Sequence, residues 1–237
     1  MPVSIMIRLF QFPAGFDVPN ASPFCLKLET FLRLARVQYQ AQTLMDPRRG
    51  PKGKLPYIDF DGELIADTAI IQRVLTERLQ LSLDDHLDEA GRGRALAVTR
   101  VCDEHLYWLL VYFRWLEEEG WQQTRQAFFG NLGPVAQRLI PALVRRKVRR
   151  DLLAQGLGRH DREDLLVFAR EDLQGLTDLL GTNAFFGGER PCSADASAYG
   201  LLANLVQCTL ETPLNRLARE YPHLVDYCQR MREVAWA

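Results

Sequence analysis

The first apolar run, residues 3–12, alternates Ile5, Ile7 and Leu9 with Met6, Arg8 and Phe10. Both faces are largely apolar, which predicts a strand inside a sheet rather than at its edge. A loop with Pro13, Gly15, Pro19 and Asn20 follows, and then the period changes. Phe24, Leu28, Phe31 and Ala35 repeat at three- and four-residue steps, predicting a helix over 22–36. Ser22 is a good N-cap, and Pro23 fits the first helical position, where its missing N–H costs nothing. Residues 39–44 read as a second strand, weakened by interleaved glutamines. The crossover makes these two strands parallel. Residues 46–53 are a loop by composition. A third strand, 54–60, starts at a proline, and Asp61-Gly62 suits a two-residue type I′ hairpin into an antiparallel strand over 63–66. Asp67 and Thr68 are capping residues that open another helix, with Ile70, Ile71, Val74 and Leu75 on its apolar side.

Residues 79–86 lack strong periodicity and read as a linker. Helical spacing resumes near 88, where Ala95, Val98, Val101, Cys102, Leu106, Leu109, Leu110 and Phe113 form one stripe on a helix to about 119. The stripe is bordered by Tyr107, Trp108, Tyr112 and Trp115; bundle core accounts for most of these, and one or two suit the wall of a substrate cleft. Gly130 to Pro134 breaks the chain. The next helix carries Arg145-Arg146-Lys147-Val148-Arg149-Arg150, which suits an anionic partner or, more commonly, a solvated helix face. A helix is predicted over 162–180 and an apolar one over 196–206. The pattern therefore divides the chain into an α/β domain, 1–80, and an all-helical domain, 87–237.

Composition narrows the function classes. At 237 residues, with 47% apolar and 25% charged content, the chain reads as a soluble globular protein. A net charge of −1 makes no chain-wide case for nucleic acid or an anionic membrane. The longest apolar run, 106–113, is too short to span a bilayer, and the start of the chain has no signal-type apolar region. Five scattered cysteines without CxxC suggest reduced thiols and a cytoplasmic location. The four histidines are dispersed, so no metal site is readable.

Three stretches carry candidate chemistry. Ser22-Pro23-Phe24-Cys25-Leu26-Lys27 opens a helix whose unpaired N–H groups and positive dipole end stabilise an anion such as a thiolate. An ordinary capped helix, with Cys25 at the edge of its buried stripe, explains the same residues. Lys54-Leu55-Pro56 starts a strand at a proline; a cis Leu55-Pro56 bond turns the Leu55 N–H and C=O outward, where an extended peptide can pair with them. At Asp67-Thr68 a hydroxyl and free N–H groups suit a ligand carboxylate, and Asp67 suits an ammonium; plain capping is the alternative.

Taken together, and in this order, these three motifs resemble the N-terminal domain of glutathione transferases, in wording close to the failed-axon-connections and metaxin-like branch. The resemblance implies a thioredoxin-like domain followed by a helical bundle. It also implies that glutathione is the co-substrate. On that basis the cysteinyl backbone of glutathione pairs with Leu55, preceding cis Pro56. Its γ-glutamyl end meets Asp67 and Thr68, and Lys54 is placed to pair with a glutathione carboxylate. Ser22 donates a hydrogen bond to the sulfur, favouring thiolate, and a small hydrophobic electrophile is attacked from a cleft against the helical domain. Asp67-Thr68 departs from the usual glutamate or glutamine followed by serine and is one methylene shorter. The resemblance also implies a homodimer. It extends to the buried helix near 196, opened in this family by serine or threonine with aspartate three residues on. The corresponding cap here is Cys192, so either Ser193 caps or the capping box is weakened. Two other functions stay open: a thiol oxidoreductase using Cys25, and a non-enzymatic docking module of the metaxin-like kind.

Overall fold

The computed structural model describes residues 6–237, so Val3 to Ile5 of the first apolar run lie outside it. Four strands form one mixed sheet in the order β2-β1-β3-β4. Strand β1 (Ile7–Gln11) is interior, as its two apolar faces predict, and pairs in parallel with β2 (Gln40–Thr43). It pairs antiparallel with β3 (Tyr57–Phe60), which turns into β4 (Glu63–Ala66). Asp61 and Gly62 both have positive φ, 52° and 94°, as a type I′ turn requires. Within the loop at 46–53, Pro47–Arg49 makes one 3-10 turn capped by Asp46.

Helix α1 (Pro23–Leu34) crosses between β1 and β2, and α2 (Thr68–Leu79) follows β4. The periodicity marks only one buried face on α1, yet Lys27, Glu29 and Thr30 on its other side are buried as well. Two further helices account for this: α8 (Ser193–Val206) and α10 (Pro222–Trp236) pack against α1. Gly200 lets α8 approach closely, since a Cβ there would lie 2.6 Å from the Pro23 carbonyl and 2.8 Å from the Lys27 nitrogen. The two cores interlock. Leu26 of α1 belongs to the core of the helical domain, and Ala196 of α8 belongs to the core under the sheet.

The helical domain differs in detail from the periodicity. The stripe from Ala95 to Phe113 lies on one continuous rod made of α3 (Glu89–Arg100), a π-helical segment (Val101–Leu106) and α4 (Tyr107–Trp115). The rod stops at Trp115 rather than near 119. Glu117 adopts extended backbone, and its carboxylate accepts from the Glu119 and Gly120 amides at 2.8 and 3.4 Å, starting α5 (Glu118–Phe129). Beyond the break come α6 (Pro134–Gln155), a 3-10 turn (Leu157–Arg159), α7 (Arg162–Leu180) and α9 (Pro213–Arg219).

At the start of α8, Asp195 closes the capping box by accepting from the Cys192 amide at 2.8 Å, without a serine at the cap. The same buried carboxylate accepts from the Phe186 and Gly187 amides and the Tyr227 hydroxyl, which offsets its burial. Ser193 is not the cap. Its amide and hydroxyl donate to Asp84 at 2.7 and 2.6 Å, tying residues 80–88 to α8.

Candidate functional site

One buried cluster joins the three candidate stretches: Cys25 from α1, Leu55 and Tyr57 at the start of β3, and Ala66 at the end of β4. The Ser22 corner, the Leu55 segment and the Asp67-Thr68 corner therefore surround a common point at one end of the sheet.

Ser22 caps α1, its hydroxyl accepting from the Cys25 amide at 3.4 Å, a long bond that restrains it weakly. It is half-buried. Its position is set by groups the hydrophobic pattern did not single out. The Asn20 side chain accepts from the Ser22 amide at 3.0 Å and donates to the Phe12 carbonyl at 2.6 Å. From the helical domain, Arg114 on α4 donates to the Ala21 carbonyl at 2.5 Å and to the Asn204 side chain at 3.1 Å. Asn204 in turn donates to the Asn20 carbonyl at 3.1 Å. All three side chains are buried, and burial lowers the Arg114 pKa. An arginine set inside an aromatic stripe was the available sequence signal for this network.

Cys25 has the opposite character. It has no exposed surface, and burial pushes its thiol up to about 12 against hydrogen bonds from Ser22 and the Phe12 backbone that favour the thiolate. Burial therefore disfavours an attacking thiolate at Cys25, which packs as a core side chain rather than facing a cleft. In the native protein, iodoacetamide at neutral pH is expected to leave Cys25 unlabelled, while denaturant exposes all five thiols; mass spectrometry of peptides reads the difference. Rapid native labelling of Cys25 would restore the oxidoreductase reading.

The Leu55-Pro56 bond is cis. Leu55 and Pro56 are buried, yet the Leu55 N–H and C=O make no hydrogen bond among the described residues. Buried backbone groups are rarely left unpaired, which sets this open donor and acceptor apart. Lys54 is exposed and makes no ion pair among the described residues. Thr68 is buried at the first turn of α2, with its hydroxyl unbonded among the described residues.

Asp67 serves α2 directly: one carboxylate oxygen accepts from the Ala69 and Ile70 amides at 3.0 and 3.2 Å. Plain capping is thus present, and the second oxygen has no partner among the described residues. Its backbone, at φ 84° and ψ 120°, lies in a region that non-glycine residues rarely occupy and that concentrates at ligand clamps. Asp67→Ala is expected to destabilise the chain by about 1 kcal/mol, the usual value of such a cap, lowering Tm by a few degrees. Calorimetry on the same variant reads any additional loss of ligand affinity. An unchanged Tm would show that the cap contributes nothing.

A "Glutathione S-transferase N-terminal domain" model covers residues 23–120, and a "Glutathione S-transferase, C-terminal domain" model covers 169–231, together more than half of the chain. The chain belongs to the glutathione transferase superfamily.

Among curated relatives, Failed axon connections of Drosophila melanogaster is 30% identical over 96% of this chain. The chain spans only 57% of that relative's length. The isoprene-epoxide glutathione S-transferase of a Rhodococcus strain is 29% identical over 96% of this chain and 98% of its own length. Metaxin-1 of Macaca fascicularis is 26% identical over 94% of this chain and 73% of its own. A solved glutathione S-transferase of Ceriporiopsis subvermispora superposes with a TM-score of 0.64 at 14% identity, covering 96% of both chains, which shows a shared transferase fold. Among the described residues no helix is long and apolar enough to cross a membrane, and no cluster of metal-binding side chains occurs.

Proposed function

We propose that this chain is a glutathione transferase that activates the glutathione thiol for attack on a small hydrophobic electrophile. The observation that carries the reading is the open backbone pair on buried Leu55, flanked by the Ser22 and Thr68 helix N-termini. An extended tripeptide fits such an edge: its cysteinyl N–H and C=O complete the Leu55 pair. Its γ-glutamyl carboxylate takes the Thr68 hydroxyl and the α2 N-terminus, and its ammonium takes the free Asp67 oxygen. Lys54 faces solvent beside this edge and serves the remaining carboxylate.

The sulfur then sits at the start of α1. There the Ser22 hydroxyl donates to the developing thiolate, and the helix dipole adds a smaller favourable term. The thiolate attacks the electrophile, forming a carbon–sulfur bond while the leaving group departs or, for an epoxide, while the ring carbon–oxygen bond breaks and the resulting alkoxide takes up a proton. Similarity to a transferase named for isoprene epoxide, along its whole length, makes an epoxide the first electrophile to test. The same reading assigns residues 1–80 to glutathione and 87–237 to the electrophile, in a cytoplasmic homodimer.

Retention on glutathione-agarose with release by free glutathione, together with conjugation of an epoxide followed by mass spectrometry, tests the proposal. One observation favours a second reading, a docking module without turnover: the Asp67 carboxylate is partly engaged in capping α2. A chain that neither binds glutathione-agarose nor forms a conjugate would be of that kind.

A further inference from the structure

Neither family sequence model reaches residues 121–168, which hold most of α5 and all of α6. The two faces of α6 contrast sharply. Pro141 and Leu152 are buried against the bundle. On the outer face Val135, Leu139 and Leu143 recur every four residues and are 73%, 56% and 66% exposed, with Leu132 and Ile140 beside them. Exposed apolar residues scattered singly need no explanation, but four between Val135 and Leu143 of α6, with Leu132 in the turn just before it, form a patch.

Arginines adjoin this patch. Arg138, Arg145, Arg146 and Arg149 of α6 and Arg125 of α5 line a groove of about 380 Å3 with Trp121. Arg145 is committed locally. It donates to the Trp115 and Leu116 carbonyls at 3.0 and 2.9 Å, pairs with Glu118 at 3.0 Å and lies 4.8 Å from the Trp121 ring centre. Lys147 and Arg150 lean on Asp151. Arg125, Arg138, Arg146 and Arg149 have neither a carboxylate partner nor a hydrogen-bond acceptor among the described residues. The net charge of −1 conceals this local excess.

We propose that α6 docks onto an anionic phospholipid surface. Val135, Leu139 and Leu143 enter the boundary between headgroups and acyl chains, and the four unpaired arginines bind headgroup phosphates. Charge complementarity and the apolar stripe point to the same occupant. A free phosphorylated compound would satisfy the arginines and leave the leucines in water. A second copy of the chain would cover the leucines but bring like charges together. This surface is separate from the Ser22 site, so the proposal stands independently of the transferase reading.

Co-sedimentation of the full chain with vesicles tests it, comparing phosphatidylcholine alone with phosphatidylcholine plus phosphatidylglycerol. Binding is expected only with the anionic lipid, and it should weaken on the order of tenfold when salt is raised to screen the surface potential. Leu139→Asp with Leu143→Asp, and separately Arg146→Glu with Arg149→Glu, should each weaken binding by about tenfold or more. Because all four positions are exposed, neither pair should change the thermal melt. Absence of anionic-vesicle binding, or binding unchanged in both variants, overturns the proposal. So does conversion of a dimer to a monomer by the leucine pair with vesicle binding retained, which would assign the patch to a second copy. Pyrophosphate binding lost in the arginine pair, without vesicle binding, would assign the groove to a soluble anion.

Discussion

Replacing Ser22 by alanine is expected to lower turnover with glutathione and an electrophile by roughly tenfold to a thousandfold, the range for losing one donor aimed at a developing anion. The affinity for glutathione itself should change little, because the Leu55 edge and the α2 N-terminus remain. The pKa of bound glutathione thiol should rise, since the hydroxyl favours the charged form through its hydrogen bond. Thiolate absorbance, followed against pH, should therefore titrate later in the variant. Loss of the weak cap will also lower Tm slightly, so kinetics are to be compared well below the melt. Cys25→Ser should leave turnover nearly unchanged, because that thiol is buried and burial disfavours its thiolate. If Ser22→Ala retains full turnover and thiol pKa, activation by this hydroxyl is ruled out. If Cys25→Ser abolishes turnover instead, the chemistry belongs to the cysteine.

Lys27→Met is expected to produce the largest loss of stability. Lys27 points from α1 into the helical domain, where its ammonium pairs with Asp103 of the π-helical segment, and both side chains are almost completely buried. Removing one partner of a buried pair leaves an uncompensated charge and typically costs about 3–5 kcal/mol. For a chain of this size that lowers Tm by roughly 6–20 °C.

The pH dependence has a definite sign. Burial pushes the Asp103 carboxyl up and the Lys27 ammonium opposes it, so loss of Lys27 raises that pKa further. A carboxyl whose folded pKa exceeds its unfolded value stabilises the fold below the unfolded value and loses this as pH rises through the folded one. The deficit of the variant should therefore shrink at acidic pH and widen toward neutrality. Lys27→Met combined with Asp103→Leu should recover most of the loss, as replacing both charges by apolar groups often does. A single variant as stable as the parent at neutral pH would show that the pair contributes nothing.

The local elements were legible because each has a local cause. Ser22-Pro23 starts α1, Asp61-Gly62 turns the hairpin and Asp67 caps α2 through their own backbone preferences and short-range hydrogen bonds. The interior position of β1 followed from its two apolar faces, and the end of α7 at Leu180 from its periodicity. Some boundaries between helices were not legible in this way. The pause at Glu117 that separates α4 from α5 rests on two cap bonds at a residue type common within helices.

The site was only partly legible, for a different reason. Its three stretches could be picked out singly, but their convergence around Cys25, Leu55 and Ala66 is a product of sheet pairing and register. The burial that silences Cys25 comes from packing on both sides of α1, and a stripe along one helix cannot reveal what covers its other face. Asn20, Arg114 and Asn204 meet over sequence separations of 90 and 184 residues. By itself the sequence determined where the chain turns, caps and alternates, because those preferences act over a few residues. Only the tertiary structure decided that the Ser22 corner is pinned from the helical domain, that Cys25 is buried and that the Leu55 backbone pair is left open, because solvent access and partners at such separations exist only once the two domains have packed.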